Sequence, residues 1–189
     1  VGPYTAGNDV DYGPVVTAQA AQKIGQLVES GVEQGANLVV DGRNFNLQGY
    51  ENGFFIGAHL FDNVTPDMDI YKQEIFGPVL STVRAQSYEE ALKLAMDHEY
   101  GNGTAIFTRD GDTARDFANR INIGMVGINV PIPVPLAYHT FGGWKKSAFG
   151  DLNQHGPDAF KFYTRTKTVT SRWPSGIKEG GEFSIPIME

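Results

Sequence analysis

The sequence predicts an α/β fold, in which a parallel twisted sheet is flanked by helices. Residues 104–108 read TAIFT and residues 124–129 read GMVGIN, and both runs are typical of strands. The segment between them, residues 112–121, has apolar residues at a helical period. Because a strand, a helix and a strand joined by short links form a right-handed crossover, the two strands should be parallel, with helices covering both faces of the sheet.

Similar elements precede this unit. Residues 18–33 carry one apolar stripe, which predicts a helix, and Gly35 supplies its stop signal. Ser87 and Glu90 form a capping box, which predicts a helix from this point to about His98. Short apolar runs between turn residues predict three strands, at 36–40, 54–61 and 78–85.

The C-terminal third departs from this pattern. Prolines at alternate positions from 131 to 135 remove backbone donors, so this segment is predicted to be a loop and not an interior strand. Residues 160–173, FKFYTRTKTVTSRW, alternate strongly and predict a long exposed β-strand that pairs with another subunit to form a homo-oligomer, a dimer or a tetramer. We therefore divide the chain into a main unit, residues 1–157, and an oligomerisation strand with its tail, residues 158–189.

Composition excludes several functional classes. The net charge of −7 and the absence of a basic run argue against a nucleic-acid partner. No apolar stretch is long enough for a membrane span and no signal pattern opens the chain, so we expect a cytoplasmic protein, or a protein of the mitochondrial matrix in a eukaryote. The absence of cysteine excludes disulfides and a cysteine nucleophile within this chain. The four histidines lack ligand spacing, so no metal site is predicted.

The stretch EIFGP, residues 74–78, is the main candidate for a binding site, since the chain has no phosphate-binding glycine loop and no nucleophile elbow. In one interpretation the Gly-Pro pair is a turn, Phe76 belongs to the core and Glu74 is merely solvated. In the other, Glu74 accepts hydrogen bonds from a diol and Phe76 offers its face to a flat ring. The loop 129–141 could wall a ligand pocket in an α/β fold.

Several ordered stretches resemble the C-terminal part of the NAD-dependent aldehyde dehydrogenases. They are EIFGP, YGNGTAIFT, GINVPIP, FGGWKKS and FYTRTKTVT. The run NVPIPVPLAYHTFGGWKKSAFGD is similar to the methylmalonate-semialdehyde dehydrogenase subgroup in particular. The resemblance covers essentially the whole chain and implies that residues 1–157 are part of an aldehyde dehydrogenase catalytic domain.

The resemblance also implies roles for individual residues. Glu74 would hold the ribose hydroxyls next to the nicotinamide of NAD, and Phe76 would pack near that ring. Lys23 would reach the adenosine ribose, and Asn102 would lie near the nicotinamide. The positions that match the substrate pocket are Asn129, Pro133 and Phe141.

The implied reaction is the oxidation of methylmalonate or malonate semialdehyde by NAD, with transfer of the acyl group to coenzyme A, loss of carbon dioxide and formation of propionyl- or acetyl-CoA. The nucleophilic cysteine of the family lies upstream of the position that matches Val1, so we expect the 189-residue chain to be inactive alone. Two alternatives stay open. The chain could belong to a hydrolytic aldehyde dehydrogenase that releases a free acid, or it could be a non-catalytic oligomerisation module.

Overall fold

The computed structural model describes residues 1–171 and residue 173, and in it helices and strands alternate along most of the chain. The α-helices are α1 (Ala18–Glu33), α2 (Asp69–Lys72), α3 (Tyr88–Asp97), α4 (Gly111–Arg120) and α5 (Ala159–Tyr163). The strands are β1 (Asn37–Val40), β2 (His59–Asp62), β3 (Val79–Ser81), β4 (Tyr100–Gly101), β5 (Gly103–Ile106), β6 (Met125–Ile128) and β7 (Trp144–Lys145). Two 3₁₀ turns, Tyr4–Asp9 and Gly156–Asp158, complete the described elements.

The strands form three small sheets. β5 and β6 are parallel and joined by α4, which confirms the predicted crossover. β2 and β3 are also parallel, whereas β1 pairs with β2 in the antiparallel sense because the loop between them reverses the chain. β4 pairs with β7 in a short antiparallel ladder. The α/β class is therefore confirmed, with the parallel pairing divided between two sheets of a mixed architecture.

Two apolar clusters hold these layers together. The larger one packs α1 and α2 on the β1-β2-β3 sheet around Phe61, which is 0% exposed. A methyl group added at Gly31 of α1 would lie 2.9 Å from Cδ1 of Ile70 and 3.1 Å from the Phe61 ring, so only glycine allows this close approach. The smaller cluster, centred on Leu92 and Phe117, joins α3 and α4 to the β5-β6 pair.

Side-chain caps explain where two of the helices begin. The Ser87 hydroxyl accepts the Glu90 backbone N–H at 3.2 Å, as the capping box predicts. The Glu90 carboxylate accepts the N–H of Gln86 at 2.6 Å, one residue earlier than in the usual box. Asp110 caps α4 by accepting two backbone N–H groups, and these hydrogen bonds lower the pKa of its carboxyl. At the end of α1, Gly35 has a φ of 94°, which confirms the predicted stop.

The predicted strand over 160–173 is wrong over its first four residues, 160–163. Residues 159–163 form α5, and residues 164–171 pair with no strand. The sequence predicts that this strand pairs with another subunit, which the pairing within one chain does not test, so a strand from residue 164 onward stays a prediction. Residue 172 and the tail 174–189 lie outside the described residues, so assembly through this region stays a prediction. The boundary proposed at residue 157 falls inside the second 3₁₀ turn and also stays a prediction.

Within the part of the chain that the structure describes, no helix is both long enough and apolar enough to cross a membrane. The longest described helix, α1, has 16 residues.

The buried side chain of His59, on β2, should make the free energy of unfolding depend on pH. Its side chain is 4% exposed and both ring nitrogens lack a hydrogen-bond partner among the described residues. Burial lowers the pKa of His59, while the negative charge of Asp41 opposes this effect. The unfolded imidazole therefore takes up a proton at a higher pH than the folded one, and the free energy of unfolding should fall as the pH decreases below about 6.5.

Urea denaturation of the wild type and of His59→Leu at several values between pH 7 and pH 5 tests this expectation. The apolar variant should lose less stability over this range than the wild type, because it has no imidazole that takes up a proton on unfolding. Carboxyl groups take up protons in the unfolded chain only near their usual pKa of about 4, which lies below this range. Parallel pH profiles for the two proteins would show that His59 does not contribute.

Candidate functional site

Residues 74–78 form a tight bend between α2 and β3. The Gly77 N–H donates to the Ile75 carbonyl at 2.8 Å, and the Val79 N–H donates to the Gly77 carbonyl at the same distance. These are two successive three-residue turns. Ile75 packs against the larger apolar cluster, whereas Glu74 is exposed and Phe76 is 78% exposed. The interpretation of Phe76 as a core residue is therefore wrong.

Helix α1 packs against this bend. A methyl group at Gly77 would lie 2.5 Å from Cδ1 of Ile24, so the helix packs directly on the turn. The Asp69 carboxylate accepts hydrogen bonds from the Ser30 hydroxyl at 3.0 Å and from the Gln34 amide at 2.8 Å. The side-chain oxygen Oε1 of Gln34 in turn accepts the Asp69 backbone N–H at 2.8 Å. These contacts hold the start of α2, and with it the segment that carries Glu74, on the end of α1.

Glu74 lines a cavity of about 510 Å³ that also contains Asn102. We call it the Glu74 cavity. Its lining combines a carboxylate, an amide, an ammonium group and several aromatic rings, from Tyr71, Gln73, Glu74, His98, Tyr100, Asn102, Lys146 and Ser147. Among the described residues, none makes a hydrogen bond to the Glu74 side chain, so its carboxylate is available to a ligand. A pocket with a few convergent polar groups among aromatic side chains is typical of ligand sites.

A second cavity of about 580 Å³ adjoins the first, since Asn102 and Ser147 line both. We call it the aromatic cavity, because its lining includes Phe141, Phe149 and Phe162. The Phe141 ring stacks on His155 with centroids 4.2 Å apart. Asn102 thus lies where a polar ligand in the Glu74 cavity would meet an apolar ligand in the aromatic cavity.

The glycine-rich loop of residues 141–150, which lines both cavities, is held by very close backbone contacts. A methyl group at Gly124 would lie 2.1 Å from the backbone nitrogen of Gly143, and Gly142 has a φ of 63°. The Ser147 hydroxyl accepts the N–H of Gly101 at 3.0 Å. The loop therefore places Ser147 and its neighbour Lys146 at the cavity wall.

Asn129 and Pro133, two predicted substrate-pocket residues, hold the following loop on the sheet. The Asn129 side chain accepts the Thr108 N–H at 2.9 Å and donates to the Thr108 carbonyl at 3.1 Å, which extends the β5-β6 ladder. Asn129 has a φ of 58°, a conformation that asparagine tolerates better than most residues. A methyl group at Gly127 would lie 3.2 Å from Cβ of Pro133, so the proline packs over β6.

The structure brings some of the predicted site residues together and leaves others apart. Glu74 and Asn102 share one cavity, and Asn102 and Phe141 share the other. Exposed Lys23 and exposed Phe76 line neither of these two cavities, nor do Asn129 and Pro133. The roles assigned to these residues stay predictions.

Sequence reasoning missed several side chains at the Glu74 cavity. Lys146 and Ser147 belong to the FGGWKKS stretch, and their polar character within a glycine-rich loop was the available signal. His98, which the sequence indicated only as a histidine without metal-ligand spacing, lines the cavity beside Tyr71 and Tyr100. No side-chain pattern distinguishes it, because both of its hydrogen-bond partners are backbone groups, of Tyr71 and Tyr100.

The charges around the cavity are partly paired. Lys146 forms an ion pair with Glu99, and this hydrogen bond raises the pKa of the Lys146 ammonium. Burial raises the pKa of Tyr71, whose hydroxyl donates to the Leu94 carbonyl at 3.1 Å. The described residues contain no group of three or more acidic or histidine side chains able to hold a metal ion.

Comparison with known proteins gives consistent results. Residues 1–169 match the model of the aldehyde dehydrogenase family. The malonate-semialdehyde dehydrogenase of Pseudomonas aeruginosa is 60% identical over 180 residues, which are 95% of this chain and 36% of the relative. The acylating mitochondrial methylmalonate-semialdehyde/malonate-semialdehyde dehydrogenase of Bos taurus is 47% identical over 94% of this chain and 33% of its own length.

The solved structures agree with this result. A protein of Sinorhizobium meliloti, described as a methylmalonate-semialdehyde dehydrogenase complexed with NAD, is 76% identical and has a TM-score of 0.86. The similarity covers 94% of this chain and 36% of that one, so the chain spans about a third of the length of these relatives. Both the sequence match and the shared fold show that this chain belongs to the aldehyde dehydrogenase family.

Proposed function

We propose that this chain forms the C-terminal part of an NAD-dependent, CoA-acylating dehydrogenase that acts on methylmalonate or malonate semialdehyde. In this proposal Glu74 and Asn102 bind the nicotinamide half of NAD, and the aromatic cavity lies toward the substrate. The relatives support the reaction class by their names, and the Sinorhizobium meliloti structure supports NAD as the cofactor.

The observation that carries the proposal is the position of Glu74. Its carboxylate is exposed, has no hydrogen-bond partner among the described residues and lines the same cavity as Asn102. A carboxylate with two free oxygens can accept both protons of a vicinal diol, such as the ribose hydroxyls of a dinucleotide. When bound, NAD would supply the hydride acceptor, while the residues of this chain would orient it. The polar and aromatic side chains that line the cavity are of the kinds that bind such a group.

Coenzyme A dependence tests the finer part of the proposal. A full-length protein that carries this chain should convert malonate semialdehyde to acetyl-CoA in the presence of NAD and coenzyme A, with equal amounts of NADH and thioester. The same protein without coenzyme A should form NADH much more slowly. Rapid release of a free acid without coenzyme A would show a hydrolytic enzyme instead.

We place the proposed CoA-acylating enzyme in the bacterial cytoplasm or, in a eukaryote, in the mitochondrial matrix.

The 189-residue chain alone should not oxidise a semialdehyde. It contains no cysteine, so it cannot supply the thiolate that attacks the aldehyde in this family. The measurement is NADH absorbance after mixing the chain with NAD, coenzyme A and malonate semialdehyde, with the full-length protein as the positive control. NADH formation by the purified chain at a rate comparable with that control would contradict the proposal.

A further inference from the structure

His98 lies between the two chain segments that line the Glu74 cavity. It follows α3 directly, with an extended backbone, and its ring is half-buried between Tyr71 and Tyr100. The ring centroids of His98 and Tyr71 are 5.2 Å apart in an edge arrangement, and those of His98 and Tyr100 are 5.8 Å apart. Both tyrosines line the cavity together with His98.

Each ring nitrogen of His98 has a backbone partner, one of them local, Tyr100, and the other in a distant segment, Tyr71. The backbone N–H of Tyr100 donates to Nδ1 at 3.2 Å, so this nitrogen must carry a lone pair. Nε2 lies 3.1 Å from the Tyr71 carbonyl oxygen, which can only accept, so Nε2 must carry the proton. The two contacts together select the neutral ring with its proton on Nε2.

These bonds link the segment that leads to Glu74 with the segment that leads to Asn102. Tyr71 belongs to α2, immediately before the Glu74 bend, and Tyr100 belongs to β4, immediately before Asn102. The His98 backbone is itself held, because the Lys145 ammonium donates to its carbonyl at 3.0 Å and to that of Met96 at 2.6 Å. The ring is therefore a fixed bridge and not a freely rotating surface side chain.

We propose that His98 is a positioning residue, which sets the separation between Glu74 and Asn102 and so the affinity of the cavity for a dinucleotide. The bridge itself depends only on the geometry of the described residues, whereas its effect on the cofactor rests on the proposed function. His98 acts through the two backbone segments and needs no contact with the ligand.

The first test measures the ring tautomer in this chain. A long-range proton–nitrogen correlation spectrum of the ¹⁵N-labelled protein at neutral pH distinguishes a protonated from an unprotonated ring nitrogen. We expect His98 to show a protonated Nε2 and an unprotonated Nδ1. A protonated Nδ1, or the averaged signals of a ring that exchanges freely, would overturn the bridge whatever the protein binds.

The second test measures cofactor use in a full-length protein that carries this chain. His98→Ala should raise the KM for NAD about tenfold, because two hydrogen bonds that order the cavity are lost. The KM for the semialdehyde should change much less. His98→Gln should recover part of the loss, since its side-chain amide can donate to the Tyr71 carbonyl in place of Nε2. Lys93→Ala, on the exposed face of α3, serves as the control and should leave both constants unchanged.

The outcomes separate the two proposals. An unchanged KM for NAD in His98→Ala, together with the expected tautomer, would show that the bridge does not position the cofactor. The NAD proposal fails by itself if replacement of Glu74 has no effect, since that measurement does not involve His98. The tautomer measurement uses the wild type, so it remains decisive if a His98 variant fails to fold.

Discussion

Glu74→Gln should lower kcat/KM for NAD-dependent oxidation about 10- to 100-fold in a full-length protein that carries this chain. A hydrogen bond to a charged group contributes about 1.5–3 kcal/mol, and about 1.4 kcal/mol corresponds to a factor of ten. The substitution keeps the shape of the side chain but removes the charge and one of the two acceptors. If the ribose contact orients the nicotinamide for reaction, kcat should fall; if it only binds the cofactor, KM should rise.

The same variant should fold normally. Glu74 is exposed and makes no hydrogen bond to a described residue, and substitutions of this kind usually change the free energy of unfolding by about 0.5 kcal/mol or less. Glu33→Gln, an identical chemical change on the exposed part of α1, is the matched control. Wild-type kinetics in Glu74→Gln, or an equal loss in Glu33→Gln, would refute the role of Glu74.

The elements that could be predicted from the sequence are those whose signals are local. The apolar stripe of α1, the cap at Ser87 and the separate strand and helix patterns of β5, α4 and β6 each depend on residues within a few positions of one another, and the structure confirms them. Glu74 could be identified as a candidate binding residue because a carboxylate just before a Gly-Pro turn does not contribute to an apolar core. The resemblance of EIFGP to a known family then supplied a specific role for it, which local physics alone left open.

The features that could not be predicted depend on contacts between distant segments. His98 has backbone partners, and backbone groups carry no sequence signal. The alternating run after residue 159 satisfies the pattern for a strand, but the pattern does not say whether a partner edge exists. Residues 159–163 instead form a short helix, whose bonds are made within the segment itself. Close backbone contacts of glycine could not be predicted either. The sequence shows where the glycines lie, but it does not show which of them contact the backbone of another segment.

Gly124→Ala should destabilise this chain by about 1–3 kcal/mol, the usual cost of inserting a methyl group where no space exists. The new carbon would lie 2.1 Å from the Gly143 nitrogen and 2.9 Å from the Gly142 carbonyl carbon. These are backbone atoms, which cannot turn aside as the end of a side chain can. The loop must therefore move, and Ser147 with it, so the Glu74 cavity should open at this wall.

Gly25→Ala provides the matched control with the opposite sign. Gly25 lies within α1, is exposed, and has no atom within 4 Å of the position that a methyl group would take. Alanine there should stabilise the helix by about 0.5–1 kcal/mol, since glycine loses more backbone entropy on folding. Urea denaturation should therefore move the midpoint down for Gly124→Ala and up for Gly25→Ala. A midpoint for Gly124→Ala that is equal to or above that of the wild type would show that the stability of this chain does not depend on the close contact between Gly124 and the glycine-rich loop, and the loop could no longer be regarded as a fixed wall of the site.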